Sequence, residues 1–171
     1  RLRMMRVAGA FKGPAILFTW PSQNAALRYL WDETNIDWSQ AYLNVMIRRL
    51  AADAAVREIV LVGHSMGARS VIDAMEMLDA AGLAKVKTVI LASPDVDRER
   101  FGQIIQGIPG RPGIASGQRH YTVYMSGKDG AIRVSRGLHH YPRLGSPFCL
   151  TKDKYQRCYP KPSPVVDVID T

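Results

Sequence analysis

One serine of this 171-residue chain stands in a setting that could support nucleophilic chemistry. Ser65 is the centre of the sequence Gly-His-Ser-Met-Gly at positions 63–67. The apolar run Ile59–Val62 precedes this sequence, and a segment with helical apolar spacing follows it. A serine on a tight strand-to-helix turn presents its hydroxyl beside the backbone N–H groups that begin the helix. The pattern predicts that Ser65 attacks an acyl carbon; the alternative is a glycine-rich turn with a surface serine.

A serine nucleophile needs partners, because its hydroxyl is a poor nucleophile at neutral pH unless a base takes the proton. The backbone N–H of Met66 is expected to donate to the developing oxyanion, a contribution of about 3 kcal/mol. Asp129 is the candidate acid that orients the base, since it follows an apolar strand; its alternative is an ordinary turn aspartate. His139 is the candidate base, because it completes the chain order Ser, Asp, His; its alternative is a loop histidine.

A second carboxylate offers an alternative acid. Asp95 follows the apolar run Lys87–Ala92, one strand before the run that leads to Asp129. Asp95 and Asp97 are also suited to cap the short helix that follows, and capping is the preferred interpretation. His64 is adjacent to Ser65, but neighbouring side chains on a turn diverge, so it is expected to pack or to form a hydrogen bond elsewhere.

The elements that must position these residues alternate along the chain. The apolar runs that predict strands are Ala15–Trp20, Glu58–Val62, Lys87–Ala92, Tyr121–Met125 and Val165–Ile169. The first predicted helix follows a loop from Gln23 to Ile36 and is capped by Asp37 or Ser39. The second runs from Met66 to Ala81 and stops at Gly82. A third helix is predicted over Asp97–Gln106, and a helical turn is predicted to end at Leu138. The glycine- and proline-rich stretch Gly107–Gly117 is predicted to be loop.

Strands joined by helices predict an α/β protein with a mainly parallel sheet and helices on both faces. Functional groups in such sheets gather beyond the carboxyl ends of the strands. Polar side chains follow four of the predicted strands: Ser22, Ser65, Asp95 and Asp129. One domain over residues 1–171 is expected from the length.

Composition excludes some classes of function. The chain is 47% hydrophobic and 22% charged, as in globular proteins, and no apolar run approaches the roughly 18 residues of a membrane span. The net charge is +8, but the basic residues are scattered and accompany no nucleic-acid-binding motif. We therefore expect no specific nucleic-acid partner, and only weak affinity for polyanions.

Two further groups of residues leave alternatives open. Cys149 and Cys158 lack histidines at ligand spacing, so no metal site is expected, and either a small disulfide loop or two free thiols fits. The aromatic residues near the first strand could line an acyl pocket or pack ordinarily: Trp20, Tyr29, Trp31 and Trp38.

Several blocks of the sequence together resemble one family. The blocks are Phe-Thr-Trp-Pro-Ser at 18–22, the 63–67 sequence, Val-Ile-Leu-Ala-Ser-Pro-Asp-Val-Asp at 89–97, Tyr-Met-Ser-Gly-Lys-Asp at 124–129, and Leu-His at 138–139 followed by Pro-Arg-Leu-Gly at 142–145. They resemble an uncharacterised bacterial family of serine-hydrolase-like α/β-hydrolases. The resemblance implies the α/β-hydrolase fold, with this chain supplying its fourth to eighth strands. It also implies a serine nucleophile, a carboxylate after a later strand, a histidine after the last strand, and esters or lipid-like acyl compounds as substrates.

Two parts of that family pattern are absent from the sequence: a His-Gly-rich loop after an early strand, and a histidine after the last strand. Both departures indicate a fragment truncated at its two ends, whose uncovered sheet edge favours self-association or a missing complementary segment. We expect a serine esterase that uses no cofactor and acts on a small-molecule ester. The alternative is a non-catalytic module that binds a ligand or partner in the same cleft.

Overall fold

The computed structural model describes residues 13–22, 28–108, 111–114, 119–148 and 165–171. Its helices are α1 Tyr29–Ala52, α2 Met66–Glu76, α3 Ala80–Lys85, α4 Arg98–Gln106 and α5 Gly130–His139. Its strands are β1 Ile59–His64, β2 Val86–Ala92, β3 Gly107–Ile108, β4 Arg111–Pro112, β5 His120–Met125 and β6 Val166–Asp170. Cys149 and Cys158 lie outside the described residues.

A four-stranded, all-parallel sheet organises these elements, with strand order β1-β2-β5-β6. Its centre is apolar and closed to water, because Leu91 and Val123 are partners in the ladder and are both fully buried. Helix α2 packs against β1 and against α1. The predicted mainly parallel sheet is therefore confirmed, and four of the predicted strands agree with the observed ones to within about two residues. No helix within the described ranges is long and apolar enough to cross a bilayer.

The predicted first strand, Ala15–Trp20, is wrong. Residues 14–22 run without helix or strand, and the side chains of Ile16 and Leu17 are 59% and 72% exposed. A strand is stabilised by a neighbour that pairs with its backbone, and the described strands pair with one another instead. In this run, only Phe18 and Trp20 pack against clusters of buried apolar residues. These two side chains attach the segment to the protein, but its backbone does not join the sheet.

The helix before β1 begins earlier than predicted. Its first residue is Tyr29, so neither Asp37 nor Ser39 caps it. The Ser39 hydroxyl instead donates to the carbonyl of Asn35 at 2.8 Å, and the Thr34 hydroxyl donates to the carbonyl of Leu30 at 3.1 Å. Such bonds to the preceding turn let hydroxyl side chains occupy a helix interior, which a reading of capping signals does not anticipate.

The predicted stop at Gly82 is also wrong, because Gly82 lies inside α3. Asp79 caps this helix and accepts a hydrogen bond from the Gly82 N–H at 2.7 Å. A Cβ added at Gly82 would lie 3.2 Å from the Cβ of Ala51, so the glycine permits close packing of α3 on α1. The predicted loop over Gly107–Gly117 likewise contains the two short antiparallel strands β3 and β4.

Gly63 allows β1 and α2 to approach closely, and this contact gives a prediction. A Cβ added at Gly63 would lie 2.5 Å from the Cα of Ala68, which is backbone and cannot move aside. We expect Gly63→Ala to lower the free energy of unfolding by about 1–3 kcal/mol, measured by urea denaturation.

Gly102→Ala is the matched control, because a Cβ there meets nothing within 4 Å and alanine favours a helix. It should leave stability unchanged or raise it by up to about 1 kcal/mol. Equal stability of the two variants would contradict the close approach at Gly63.

Candidate active site

Ser65 adopts a backbone conformation that few residues other than glycine occupy. Its φ is 53° and its ψ is −125°, and it stands between the end of β1 and the start of α2. A residue held in such a region costs about 1–3 kcal/mol and persists only where surrounding bonds fix it. Here the Ser65 N–H donates to the carbonyl of Ala92 at 3.0 Å, and the Ser65 carbonyl accepts from the N–H groups of Ala68 and Asp95 at 3.1 Å.

Among the described residues, the hydroxyl of Ser65 does not cap the helix that follows it. Ser65 occupies the N-cap position of α2, yet its side chain makes no capping hydrogen bond. The N–H groups of Met66 and Gly67 belong to the first turn and have no helical carbonyl to bind. The positive end of the helix dipole lies at the same point. A negatively charged oxygen formed on a group bound to Ser65 would therefore meet hydrogen-bond donors.

An apolar wall stands beside this turn. The side chain of Met66 is buried in a cluster with Tyr29, and Trp20 packs against that cluster. The ring of Trp20 also approaches Gly67, where a Cβ would lie 3.3 Å from the Trp20 Cη2 atom. Trp20 and Tyr29 thus lie close to the Ser65 turn.

Trp31 and Trp38 do not contribute to that wall. Their exposed fractions are 65% and 74%, and they lie on the side of α1 that faces away from the core. Of the two alternatives left open for these tryptophans, a surface position is the one observed, because the buried side of α1 faces the opposite direction.

Asp95 is fully buried at the centre of a polar network, directly beyond the end of β2. The hydroxyls of Tyr29 and Ser135 both donate to its carboxylate. The Nη2 atom of Arg69 and the Nε atom of Arg143 each lie 3.3 Å from a carboxylate oxygen. Two cations and two hydroxyls thus compensate the burial of one negative charge.

The capping interpretation preferred for Asp95 is therefore wrong. Asp97 alone caps α4, accepting a hydrogen bond from the N–H of Arg100 at 2.9 Å. Asp95 lies two residues earlier, and its side chain is buried in the protein. There, two hydroxyls and two arginines stabilise its negative charge more strongly than the N–H groups of a helix terminus would.

Sequence reasoning missed the partners of Asp95, although one signal was present. Tyr29 and Ser135 are polar residues at buried positions of α1 and α5, on the same sides as Ile36 and Ile132. Burial raises the pKa of the Tyr29 hydroxyl, and the nearby charge of Asp95 raises it further. Tyr29 therefore stays protonated and remains a donor. Nothing in the local sequence singles out Arg69 or Arg143.

Asp129 lies beyond the end of β5 and caps α5. Its Oδ1 atom accepts from the N–H groups of Ala131 and Ile132, at 2.9 and 3.1 Å. Both of these hydrogen bonds are made by Oδ1. The turn role foreseen as the alternative is thus present, and it does not consume the whole carboxylate.

His139 lies at the opposite end of α5 from Asp129. A helix rises 1.5 Å per residue, so the two residues are roughly 15 Å apart along its axis and cannot form the acid–base pair of one triad. The Nε2 atom of His139 lies 3.3 Å from the Oε1 atom of Glu33, and its ring packs edge-on against Tyr29. Desolvation, followed by the positive charge of Arg143, lowers the pKa of His139.

Glu33 links His139 to α2, because it also forms an ion pair with the Nη1 atom of Arg69 at 2.6 Å. Arg69 stands one helical turn after Ser65. Among the residues that the structure describes, no histidine ring nitrogen lies within hydrogen-bonding distance of the Ser65 hydroxyl. The same residues contain no group of three histidine, cysteine or carboxylate side chains that could hold a metal ion.

A comparison with protein families identifies one match. A family model described as alpha/beta hydrolase of unknown function, DUF900, matches residues 2–170. This match covers nearly the whole chain and confirms both the predicted family type and the α/β-hydrolase fold class. No curated protein and no solved structure matches the chain significantly.

The network around Asp95 gives a prediction about stability. Asp95→Asn removes the negative charge, leaves the buried Arg143 without this counter-ion, and leaves Arg69 with only its ion pair to Glu33. We expect a loss of about 3–5 kcal/mol in the free energy of unfolding, measured by urea denaturation. Asp97→Asn is the control, because asparagine caps a helix as well as aspartate, and it should change stability by less than about 0.5 kcal/mol. A near-neutral Asp95→Asn would show that the carboxylate is not the charge on which the network depends.

Proposed function

The chain belongs to the DUF900 family of alpha/beta hydrolases, and on that premise we propose that it hydrolyses carboxylic esters through an acyl-enzyme intermediate on Ser65. The observation that carries this proposal is the backbone of Ser65, a non-glycine residue with φ 53° between a parallel strand and a helix N-terminus. Glycine would adopt this backbone conformation without strain, whereas a serine bears the strain and would hold its hydroxyl beside backbone donors.

In the proposed reaction, the Ser65 Oγ atom attacks the ester carbonyl carbon as a base takes the hydroxyl proton. The carbonyl oxygen becomes an oxyanion and accepts a hydrogen bond from the Met66 N–H. The C–O bond to the leaving group then breaks, and the base returns the proton to the departing alcohol. Water attacks the acyl-Ser65 ester in the same way and releases the carboxylic acid. The buried side of Met66, with Trp20 and Tyr29, would contact the acyl group.

The acid of this mechanism is better assigned to Asp129 than to Asp95. The Asp95 carboxylate is closed to solvent and already binds two hydroxyls and two arginines, so it has no room for an imidazole. Asp129 uses only its Oδ1 atom for capping and lies at the carboxyl edge of the sheet, the same edge as Ser65.

The base is proposed to be a histidine held by Asp129. His139 does not fulfil this condition, since it stands at the other end of α5 and its Nε2 faces Glu33. The proposal is supported by the family that the sequence resembles, which implies a histidine after the last strand. Because β6 is the neighbour of β5 in the sheet, a histidine that follows β6 would stand on the side of Asp129.

A second candidate function is ligand or partner binding without catalysis. The observation that favours it is the lack of a histidine near the Ser65 hydroxyl among the described residues. The two functions differ in whether Ser65 forms a covalent bond, and a covalent probe therefore separates them.

The first prediction of this proposal concerns Ser65 itself. The full-length protein should react with a fluorophosphonate probe at Ser65 and hydrolyse short-chain p-nitrophenyl esters. Ser65→Ala should abolish labelling and lower kcat by roughly 10⁴-fold or more, with no loss of stability, because the hydroxyl makes no hydrogen bond that caps α2. Mass spectrometry of the labelled peptide locates the probe.

Ser93→Ala is the matched control, because Ser93 also has a positive φ, 44°, at the carboxyl end of the neighbouring strand β2. It precedes no helix N-terminus directly and should keep wild-type labelling. A full-length wild-type protein that neither reacts with the probe nor hydrolyses any ester would rule out the esterase and favour the binding module.

The second prediction tests the assigned acid. Asp129→Asn keeps a capping oxygen for Ala131 and Ile132 but removes the charge that would hold the histidine. We expect kcat to fall by roughly 10⁴-fold while the free energy of unfolding changes by less than about 0.5 kcal/mol. His139→Gln should retain activity. Wild-type turnover by Asp129→Asn, or its loss in His139→Gln, would move the acid–base pair away from Asp129.

A further inference from the structure

The outer side of α1 carries large apolar side chains in a single line. Trp31, Trp38, Tyr42 and Val45 are separated by seven, four and three residues, which places them on one helix face. Their exposed fractions are 65%, 74%, 75% and 42%. These four side chains, called the aromatic stripe below, extend over about 21 Å of the helix.

The aromatic stripe is not needed for the core. The opposite face of α1 supplies the buried residues Tyr29, Ile36, Leu43 and Ile47. The helix is therefore apolar on two sides, with only one of them covered. Soluble proteins rarely expose a continuous apolar patch of this length unless it contacts a partner.

Positive charge borders the stripe at both ends. The guanidinium carbon of Arg28 lies 5.7 Å from the centre of the Trp31 ring. Arg49 continues the same face one turn after Val45, and Arg48 beside it is exposed as well. Asp32 and Asp37, the acidic residues next to Trp31 and Trp38, are each turned about 100° around the helix from the neighbouring tryptophan. The net charge of +8 has the same sign.

We propose that the aromatic stripe docks this protein on a bilayer surface that carries anionic headgroups, with α1 lying in the plane of the interface. Tryptophan and tyrosine favour the boundary between acyl chains and headgroups, because one part of each ring is apolar and another forms hydrogen bonds. Arginines at the ends of the stripe would pair with lipid phosphates. A protein partner with an apolar surface would not require this border of arginines.

The contact is interfacial and does not cross the membrane. The buried face of α1 includes Asp32 and packs on α2, so the helix cannot leave the fold and enter the acyl chains. Only the side chains of the stripe would reach below the headgroups, as in surface-bound amphipathic helices. The inference does not depend on catalysis by Ser65.

The test is sedimentation of the full-length protein with vesicles of phosphatidylglycerol and phosphatidylcholine, compared with vesicles of phosphatidylcholine alone. Binding should require the anionic lipid, and the tryptophan emission should shift to shorter wavelength when the anionic vesicles are added. Trp38→Gln should weaken binding roughly tenfold, because the variant lacks the large apolar ring that would transfer from water into the bilayer interface. Tyr141→Gln is the control, since Tyr141 is 63% exposed outside the stripe.

The charged border is tested separately. Replacement of Arg48 and Arg49 by glutamine should weaken binding by roughly fivefold for each arginine, and added salt should have a similar effect. Arg133→Gln removes the same charge from the exposed side of α5 and should change binding less. Urea denaturation of each variant shows that it remains folded.

Three outcomes would overturn the inference. The first is equal binding to anionic and neutral vesicles, and the second is an unchanged affinity of folded Trp38→Gln. The third has two parts: the wild type does not bind vesicles, and analytical ultracentrifugation shows a wild-type dimer that is lost in Trp38→Gln. That last outcome would assign the stripe to a second copy of the chain.

Discussion

Burying a carboxylate costs several kcal/mol unless charges and donors surround it, and Asp95 meets this demand with groups from three helices and one turn. Tyr29 comes from α1, Arg69 from α2, Ser135 from α5 and Arg143 from the turn after α5. Each of these groups must reach the same point beyond the end of β2. The need to neutralise the charge of Asp95 therefore constrains the positions of these helices at the carboxyl edge of the sheet.

The segment that carries this carboxylate also holds the strained turn. The N–H of Asp95 donates to the carbonyl of Ser65, so the backbone of the network and the backbone of the turn are bonded directly. On the other side, Gly145 packs so closely on Pro94 that a Cβ would lie 2.7 Å from the proline nitrogen. The strained backbone of Ser65 is thus held by a segment that is itself fixed on both sides. The contacts that stabilise Asp95 therefore also maintain the backbone conformation of Ser65.

The sequence predicts the strands and the Ser65 turn well because their signals are local. A continuous apolar run followed by small residues identifies β1 and the turn without knowledge of any distant residue. The failures have a different origin. Ala15–Trp20 has the composition of a strand but lacks a paired neighbour, and Asp95 has the position of a cap but binds side chains 26 to 66 residues away. Pairing and charge compensation depend on the tertiary fold, which local patterns do not encode.

Helix α1 connects the two surfaces for which functions are proposed. Its inner face contributes Glu33, which binds Arg69 at 2.6 Å, and Arg69 stands one turn after Ser65 on α2. Its outer face carries the aromatic stripe. Because the ion pair and the buried contacts lock α1 to α2, docking through the stripe would fix the orientation of Ser65 relative to the bilayer. An esterase held in this way would meet acyl substrates from one direction only. If α1 could rotate freely against α2, docking of the stripe would not determine the orientation of Ser65. The Glu33–Arg69 pair and the buried contacts between α1 and α2 would together couple membrane docking to ester hydrolysis.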